Sequence, residues 1–201
     1  MTAGDIIEAV VKSAIIIVAL LTAFAYMTLY ERRLVGRVQV RYGPNRVGPG
    51  GLLQPVADGV KLAFKQAITP RGVDKPLYLL APAISVVTAL SAFAVIPVGP
   101  TYNIFGRAIP FHLADFNVGL LFVLAMSSLG AYGIVLAGYA SNNKYSLLGG
   151  LRAAAQLISY ELALGLSLVG VLMLTGSLSL TRIVDNQAGG IWHILVQPLA
   201  I

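Results

Sequence analysis

Residues 7–30 read IEAVVKSAIIIVALLTAFAYMTLY, and this run decides the fold class because it is long and apolar enough to cross a bilayer. A membrane-spanning helix needs about 20 largely apolar residues, since each residue advances about 1.5 Å through a hydrocarbon core about 30 Å thick. Three further runs of that length lie at about 77–98, 117–140 and 153–176. We therefore predict an all-α, multi-pass integral membrane protein.

The composition also favours a membrane protein. Of the 201 residues, 57 % are hydrophobic and 11 % are charged, whereas soluble domains contain about 45–50 % apolar and about 25 % charged residues. The sequence has no cysteine, which excludes iron–sulfur ligation by these residues, and His112 and His193 are too far apart in sequence to suggest a site. We predict no metal site and no catalytic residue here, so any redox cofactor belongs to a partner.

The two ends of the sequence give separate expectations. Asp5 and Glu8 stand where a signal peptide would carry its basic region, so we expect the first segment to remain in the membrane. The last run, IWHILVQPLAI at 191–201, would form about 16 Å of helix, roughly half the hydrocarbon thickness. We expect a fifth span to begin at 191 and the chain to end before that span is complete.

Basic residues are concentrated in one connection, which orients the spans. Nine of the fourteen Lys and Arg residues lie in 31–76, whereas 99–116 contains only Arg107. Because connections rich in Lys and Arg stay in the cytoplasm, we expect 31–76 and 141–152 to be cytoplasmic and the N-terminus to face outward. In a membrane chain the net charge of +6 reports this orientation, so it does not predict nucleic-acid binding.

A shorter amphipathic helix is predicted at about 51–66, inside the basic connection. Val56, Val60 and Phe64 recur at helical spacing, with polar residues on the opposite side. With lysines on its polar face and only about 15 residues, this helix should lie on the membrane surface rather than cross it. These elements together predict a single membrane domain over 1–201.

Glycine and proline set the shape of the segment before that helix, where 43–51 reads GPNRVGPGG. Proline fixes φ, lacks an N–H donor and moves the preceding residue out of the helical region. The segment therefore predicts a compact loop with one defined shape. On these grounds alone it is a cytoplasmic loop anchored by its basic residues.

One acidic residue lies inside a predicted span. Glu161 follows Arg152 by nine residues, about 13 Å of helix, and an ionisable residue at that depth is by default a functional candidate. The alternative is a neutral Glu that is hydrogen-bonded between helices. Tyr132 precedes Ser141 by nine residues, so we predict that Tyr132 and Glu161 line one polar track on neighbouring antiparallel spans. Further polar candidates near this track are Ser127, Ser128, Ser159 and Tyr160.

Two long stretches resemble one protein family. ERRLVGRVQVRYGPNRVGPGGLLQPVADGVKLAFK at 31–65 resembles the first cytoplasmic loop of the H subunit of bacterial respiratory complex I, the NADH–quinone oxidoreductase. The resemblance continues through SSLGAYGIVLAGYASNNKYSLLGGLRAAAQLISYE at 127–161 and extends loosely over the whole chain. Two long stretches in the same order are a specific signal.

The resemblance implies a membrane subunit that forms much of a quinone chamber and links quinone reduction to proton translocation. It implies the bacterial plasma (inner) membrane, with membrane lipids and other complex I subunits as partners: peripheral quinone-site and iron–sulfur subunits, small membrane subunits and antiporter-like subunits. Quinone is then a substrate, and FMN and the iron–sulfur clusters belong to partners. The family's acidic loop and later helices, which follow the fifth span, are absent from this sequence.

The resemblance also assigns residues. Glu161, with Tyr132, belongs to a proton path toward the antiporter-like subunits, and a position that is acidic in some relatives is Ser128 here. The residues around the quinone entrance and lower chamber are Glu31, Arg32, Arg41, Asp58 and Lys61. For these charged residues the alternative is a structural salt bridge or a contact with lipid phosphate.

Other functions fit part of the pattern. The equivalent subunit of a membrane-bound hydrogenase or of a ferredoxin-driven complex would reuse the same loop and helices with a different electron donor. A stand-alone transporter would also have a mid-membrane Glu, but such proteins typically contain unwound helices, which these spans do not predict. A structural membrane anchor with an incidental buried Glu is the third alternative.

Overall fold

The structure is a computed structural model that describes residues 3–104 and 107–196. The contacts divide the chain into two compact units, 1–68 and 69–201, and each is described by itself. Four helices are long and apolar enough to cross a membrane, and they are Gly4–Val38, Lys75–Val95, Gly119–Ala140 and Lys144–Thr175. The predicted all-α, multi-pass membrane architecture is thus confirmed.

In the first unit, helix α1 covers Ala3–Val38 and is longer than the predicted span 7–30. Its 36 residues correspond to about 54 Å, which exceeds a hydrocarbon core of about 30 Å. Near its start, Lys12 Nζ lies 2.6 Å from Glu8 Oε1 one turn away, so these two charges neutralise each other. The basic residues that follow Tyr30 continue the same helix.

Helix α2 covers Gln54–Phe64, a shorter range than the predicted 51–66. Gly50 and Gly51 have φ values of +59° and +84°, which are incompatible with α-helix, so a 3₁₀ turn precedes α2 at Pro49–Gly51. Pro55 lies in the first turn of α2, where its missing N–H has no helical partner to lose.

The second unit begins with helix α3, Lys75–Ala92, which continues as a 3₁₀ turn at Phe93–Val95. Asp74 caps α3 by accepting a hydrogen bond at 3.4 Å from a backbone N–H of the first turn. A span to 98 was predicted, but Ile96 is extended because it precedes Pro97, and the helix ends there.

A β-hairpin occupies much of the predicted outer connection 99–116, where no strands were predicted. Strand β1, Gly99–Ile104, pairs with strand β2, Arg107–Phe111, in an antiparallel arrangement. The backbone N–H of Val98 donates to the carbonyl of Phe111 at 3.0 Å and extends this pairing toward α3.

Helices α4, Gly119–Ala140, and α5, Lys144–Thr175, are joined by three residues rather than by the predicted connection 141–152. Asn143 starts α5 because its side chain caps the first turn, accepting from the backbone N–H of Tyr145 at 2.9 Å. Helix α5 therefore begins nine residues before the predicted span 153–176.

The connection before α3 is fastened to the turn between α4 and α5. Asn142, which has a left-handed φ of +50°, donates from Nδ2 to the carbonyl of Gly72 at 3.1 Å. The backbone N–H of Asp74 donates to the carbonyl of Ala140 at 3.1 Å. Two hydrogen bonds thus link segments about 70 residues apart in sequence.

Close packing of α3 against α4 depends on Gly133. A Cβ at this position would lie 2.8 Å from the carbonyl oxygen of Ala81 and would also overlap the side chain of Ser85. By contrast, a Cβ at Gly165 on α5 would meet no atom within 4 Å. The packing role expected of small residues in spans therefore applies to Gly133 and not to Gly165 in this unit.

Helix α6, Leu180–Ala188, lies within the predicted outer connection 177–190. Ser179 caps it and is only 2 % exposed, and its Oγ also donates to Asp115 Oδ1 at 3.2 Å. Asp115 was expected to be merely solvated, and this contact corrects that expectation. The predicted fifth span from 191 includes helix α7, His193–Val196, and its remaining residues, 197–201, lie outside the described residues.

Candidate functional site

The loop of the first unit is shaped by Arg33 on α1. Its Nη2 donates to the carbonyl of Gly50, and its Nε donates to the carbonyl of Pro44 at 3.4 Å. A Cβ at Gly43 would lie 2.7 Å from Cα of Arg33, so only glycine permits this approach. The forked guanidinium thus holds two turns of the loop against α1, which explains how the predicted compact loop is fixed.

A polar cluster joins α1 to α2. Arg32 Nη1 lies 2.7 Å from Asp58 Oδ2, and Gln54 Nε2 donates to Asp58 Oδ1 at 2.9 Å. The hydrogen bond from Gln54, followed by that from Arg32, holds the pKa of Asp58 below its usual value of 3.8. Asp58 is therefore a carboxylate at neutral pH, with both oxygens occupied. Lys61 adds a smaller electrostatic effect in the same direction.

A cavity of about 620 Å³ opens between the end of α1 and the loop. Three of the predicted chamber residues, Glu31, Arg32 and Arg41, line it, while Asp58 and Lys61 do not. Arg46 lines it as well. Arg41 also lines an adjacent cavity of about 530 Å³, and its Nε donates to Gln39 Oε1 at 2.8 Å. The walls are thus strongly polar and mainly cationic, which suits water, anionic groups or a polar head group.

The second candidate site lies between α4 and α5. Glu161 is half-buried on α5, and Ser128 on α4 donates from Oγ to Glu161 Oε2 at 2.8 Å. A cleft of about 460 Å³ surrounds this pair and also includes Tyr132. The other residues that line the cleft are apolar: Leu124, Ala131, Val135, Ala154, Ile158 and Leu162. A carboxyl group with one polar partner in apolar surroundings can exchange its proton only along a restricted route.

Two glycines bring these helices together. A Cβ at Gly138 would lie 2.9 Å from the carbonyl oxygen of Ser146, and one at Gly150 would lie 3.1 Å from that of Ile134. The backbones can approach only because both side chains are absent. The short connection and these contacts place the faces that carry Ser128 and Glu161 opposite each other.

The structure brings together only part of the predicted polar track. Tyr132 and Glu161 line the same cleft, although Tyr132 is 63 % exposed and no hydrogen bond joins these two described side chains. Ser159 bonds to the carbonyl of Ala155 within α5 at 2.9 Å. Ser127, Ser159 and Tyr160 do not line the cleft.

Two polar residues were missed by reasoning from the sequence. Gln54 precedes Asp58 by four residues, a spacing at which side chains on one helix interact, so this partner could have been recognised. Arg33 was counted only as a basic anchor, because the sequence does not reveal which carbonyls its guanidinium reaches. Within 3–104 and 107–196, no three His, Cys, Asp or Glu side chains are grouped so that they could bind a metal ion.

Comparison with known proteins gives a consistent match. The model of the NADH dehydrogenase family matches residues 11–201. The first of two NADH-quinone oxidoreductase H subunits of Geobacter metallireducens is 54 % identical, covering 98 % of this chain and 59 % of its own length. The second H subunit of that organism is 52 % identical over 96 % of this chain and 59 % of its own length. The NADH-quinone oxidoreductase H subunit of Thermomicrobium roseum is 54 % identical over 90 % and 56 %. The chain spans somewhat more than half the length of these curated relatives.

Proposed function

Because this chain belongs to the NADH dehydrogenase family and its relatives are named as H subunits of NADH-quinone oxidoreductase, we propose that it acts in the membrane arm of a proton-pumping NADH:quinone oxidoreductase. The chain itself transfers no electrons. Flavin and iron–sulfur clusters reside in partner subunits, and quinone is the substrate that this chain helps to bind. The site is the bacterial inner membrane, with the N-terminus outside because the basic connection 31–76 lies in the cytoplasm.

The first unit contributes the entrance and wall of a quinone chamber. Glu31, Arg32 and Arg41 line its polar cavity, and Arg32 is fixed by Asp58. On α2 the apolar side chains of Val56 and Val60 are 58 % and 54 % exposed, which supplies a surface for an apolar quinone tail. Lys61 extends the positive charge along the polar side of α2.

The second unit contributes a proton path, and the contact between Ser128 and Glu161 is the observation that carries this proposal. A carboxyl inside a span is costly unless it serves binding or proton transfer. Here it meets a hydroxyl at 2.8 Å in a cleft that Tyr132 also lines. Reduction of quinone changes the charge in the chamber, and protonation of Glu161 responds to that change.

The decisive test is Glu161→Gln in the assembled complex. We expect NADH-driven quinone reduction and proton pumping to fall strongly, while NADH oxidation by an artificial acceptor stays at the unmodified level. Asp185→Asn is the matched control, since Asp185 is an exposed acid on α6. Unchanged pumping in Glu161→Gln would contradict the proton path.

Purification of the native assembly tests the partners. The chain should copurify with flavin and iron–sulfur subunits, and the assembly should oxidise NADH. An assembly that instead contains hydrogenase or ferredoxin-oxidising subunits would assign the same membrane architecture to a different electron donor.

A further inference from the structure

We propose that the hydroxyl of Ser128 changes its acceptor when Glu161 gains or loses a proton, so that one residue serves as the partner of both charge states. The inference rests on the proposed function in one respect, namely that Glu161 changes its protonation during turnover. It names Ser128 as a positioning residue for that step.

The geometry around Ser128 offers its single proton two acceptors. Ser128 Oγ lies 2.8 Å from Glu161 Oε2 and 3.0 Å from the carbonyl oxygen of Leu124, one turn earlier on α4. A serine hydroxyl carries one O–H and two lone pairs, so it can donate to only one of these oxygens at a time. Both distances are within the normal range for O–H···O bonds. The two contacts therefore describe alternative hydroxyl orientations.

Each orientation matches one charge state of Glu161. When the carboxylate is ionised, Ser128 donates to Oε2 and the bond is charge-assisted. When Glu161 takes up a proton from the cleft, its new O–H donates to the lone pair of Ser128 Oγ, and the serine O–H turns to the carbonyl of Leu124. The proton remains on Glu161, Ser128 keeps its own proton, and no covalent bond of Ser128 is broken.

No other group near Glu161 is placed to do this. Helix α5 packs against α4 and α6, and of the described residues that line the cleft only Tyr132 is otherwise titratable. Tyr132 makes no described hydrogen bond to Glu161, and no residue of α6 lines the cleft. The remaining cleft side chains are apolar, so Ser128 is the group that can solvate both states of the carboxyl.

Infrared difference spectroscopy of the purified native assembly tests this inference. Spectra between neutral and acidic pH should contain a protonated-carboxyl C=O band that disappears in Glu161→Gln. In Ser128→Ala this band should move to higher frequency, because the carboxyl loses its hydrogen-bond acceptor. Ser128→Thr should restore the original position, since threonine in a helix can also bond to the carbonyl four residues earlier.

Ser167→Ala is the matched control. Ser167 bonds to the carbonyl of Leu164 within α5 at 2.7 Å and does not line the cleft, so its removal should leave the band in place. The inference is overturned if Ser128→Ala leaves the band unmoved, if Ser167→Ala moves it equally, or if no band depends on Glu161. Because Ser128→Ala removes a bond from the helix backbone of a kind that slightly destabilises helices, we expect the variant to fold.

The outcome is separable from the proposed function. An unmoved band together with lost pumping in Glu161→Gln would refute the hydroxyl exchange and leave the proton path intact. A moved band together with normal pumping in Glu161→Gln would refute the path and support the exchange.

Discussion

Arg32 and Asp58 form an ion pair with 2.7 Å between Nη1 and Oδ2, although 26 residues separate them in sequence. The pair ties the end of α1 to α2 and encloses the loop between them. Because both side chains are about half exposed, the pair acts mainly by fixing the positions of these helices rather than by adding much stability.

The pH dependence of this link follows from the lowered pKa of Asp58. A carboxylate stabilised in the folded state contributes fully above the unfolded value of 3.8, and the contribution is lost as the pH falls through the lower folded value. We expect hydrogen–deuterium exchange in α2 to be slower than in Asp58→Asn at neutral pH. The ratio of the two rates should approach one only below 3.8, and a ratio that already reaches one near pH 6 would contradict the assignment.

Arg33→Lys should loosen the loop at 39–53. Lysine carries a single ammonium, which cannot reproduce the guanidinium fork that reaches both Pro44 and Gly50. Loss of one charged hydrogen bond corresponds to at least about tenfold more frequent opening. Limited proteolysis of the loop measures this rate. Arg37→Lys is the control, because Arg37 lies one turn later on α1 without a described hydrogen bond, and equal acceleration in both variants would refute the role of Arg33.

Gly133→Ala should destabilise the second unit by about 1–3 kcal/mol, the usual result of overpacking. The added methyl group would meet Ser85 and the carbonyl of Ala81, so α3 and α4 must separate. Thermal unfolding of the assembly, followed by helix content, measures the loss. Gly165→Ala on α5 meets no atom within 4 Å and should change stability little. Similar losses in the two variants would argue against the close approach.

Two substitutions at Asn142 separate a hydrogen bond from backbone strain. Asn142→Gly loses the bond to Gly72 but accommodates the φ of +50°, whereas Asn142→Ala loses the bond and is also strained. We expect the alanine variant to be less stable than the glycine variant by about 1 kcal/mol. If the two were equally stable in thermal unfolding, left-handed strain at this turn would not matter.

The span pattern could be predicted because it depends on length and apolar composition alone. The predicted spans 77–98 and 117–140 lie within a few residues of the observed helices. The start of α5 was placed nine residues late because KYSLLGGL at 144–151 is mildly polar and contains two glycines. Those glycines, with Asn143 as a cap, continue the helix beyond the apolar run.

The candidate sites were predictable as regions but not as contacts. Glu161 was recognised from its depth in an apolar run, and Tyr132 from counting along an antiparallel span. The contact to Ser128 requires the mutual rotation of α4 and α5, which depends on Gly138 and Gly150 and is not readable from one sequence. The hairpin at 99–111 and the partner of Asp115 were missed because long-range pairing leaves little local signal.

The unbroken course of α5 has a mechanical consequence. From Lys144 to Thr175 the helix contains no proline, and its 32 residues correspond to about 48 Å, more than a bilayer core of about 30 Å requires. Its first turns therefore project beyond the hydrocarbon, and they belong to the same rigid rod as Glu161. A torque applied to that projecting end by a docked subunit would turn the carboxyl toward or away from Ser128 without any hinge between them.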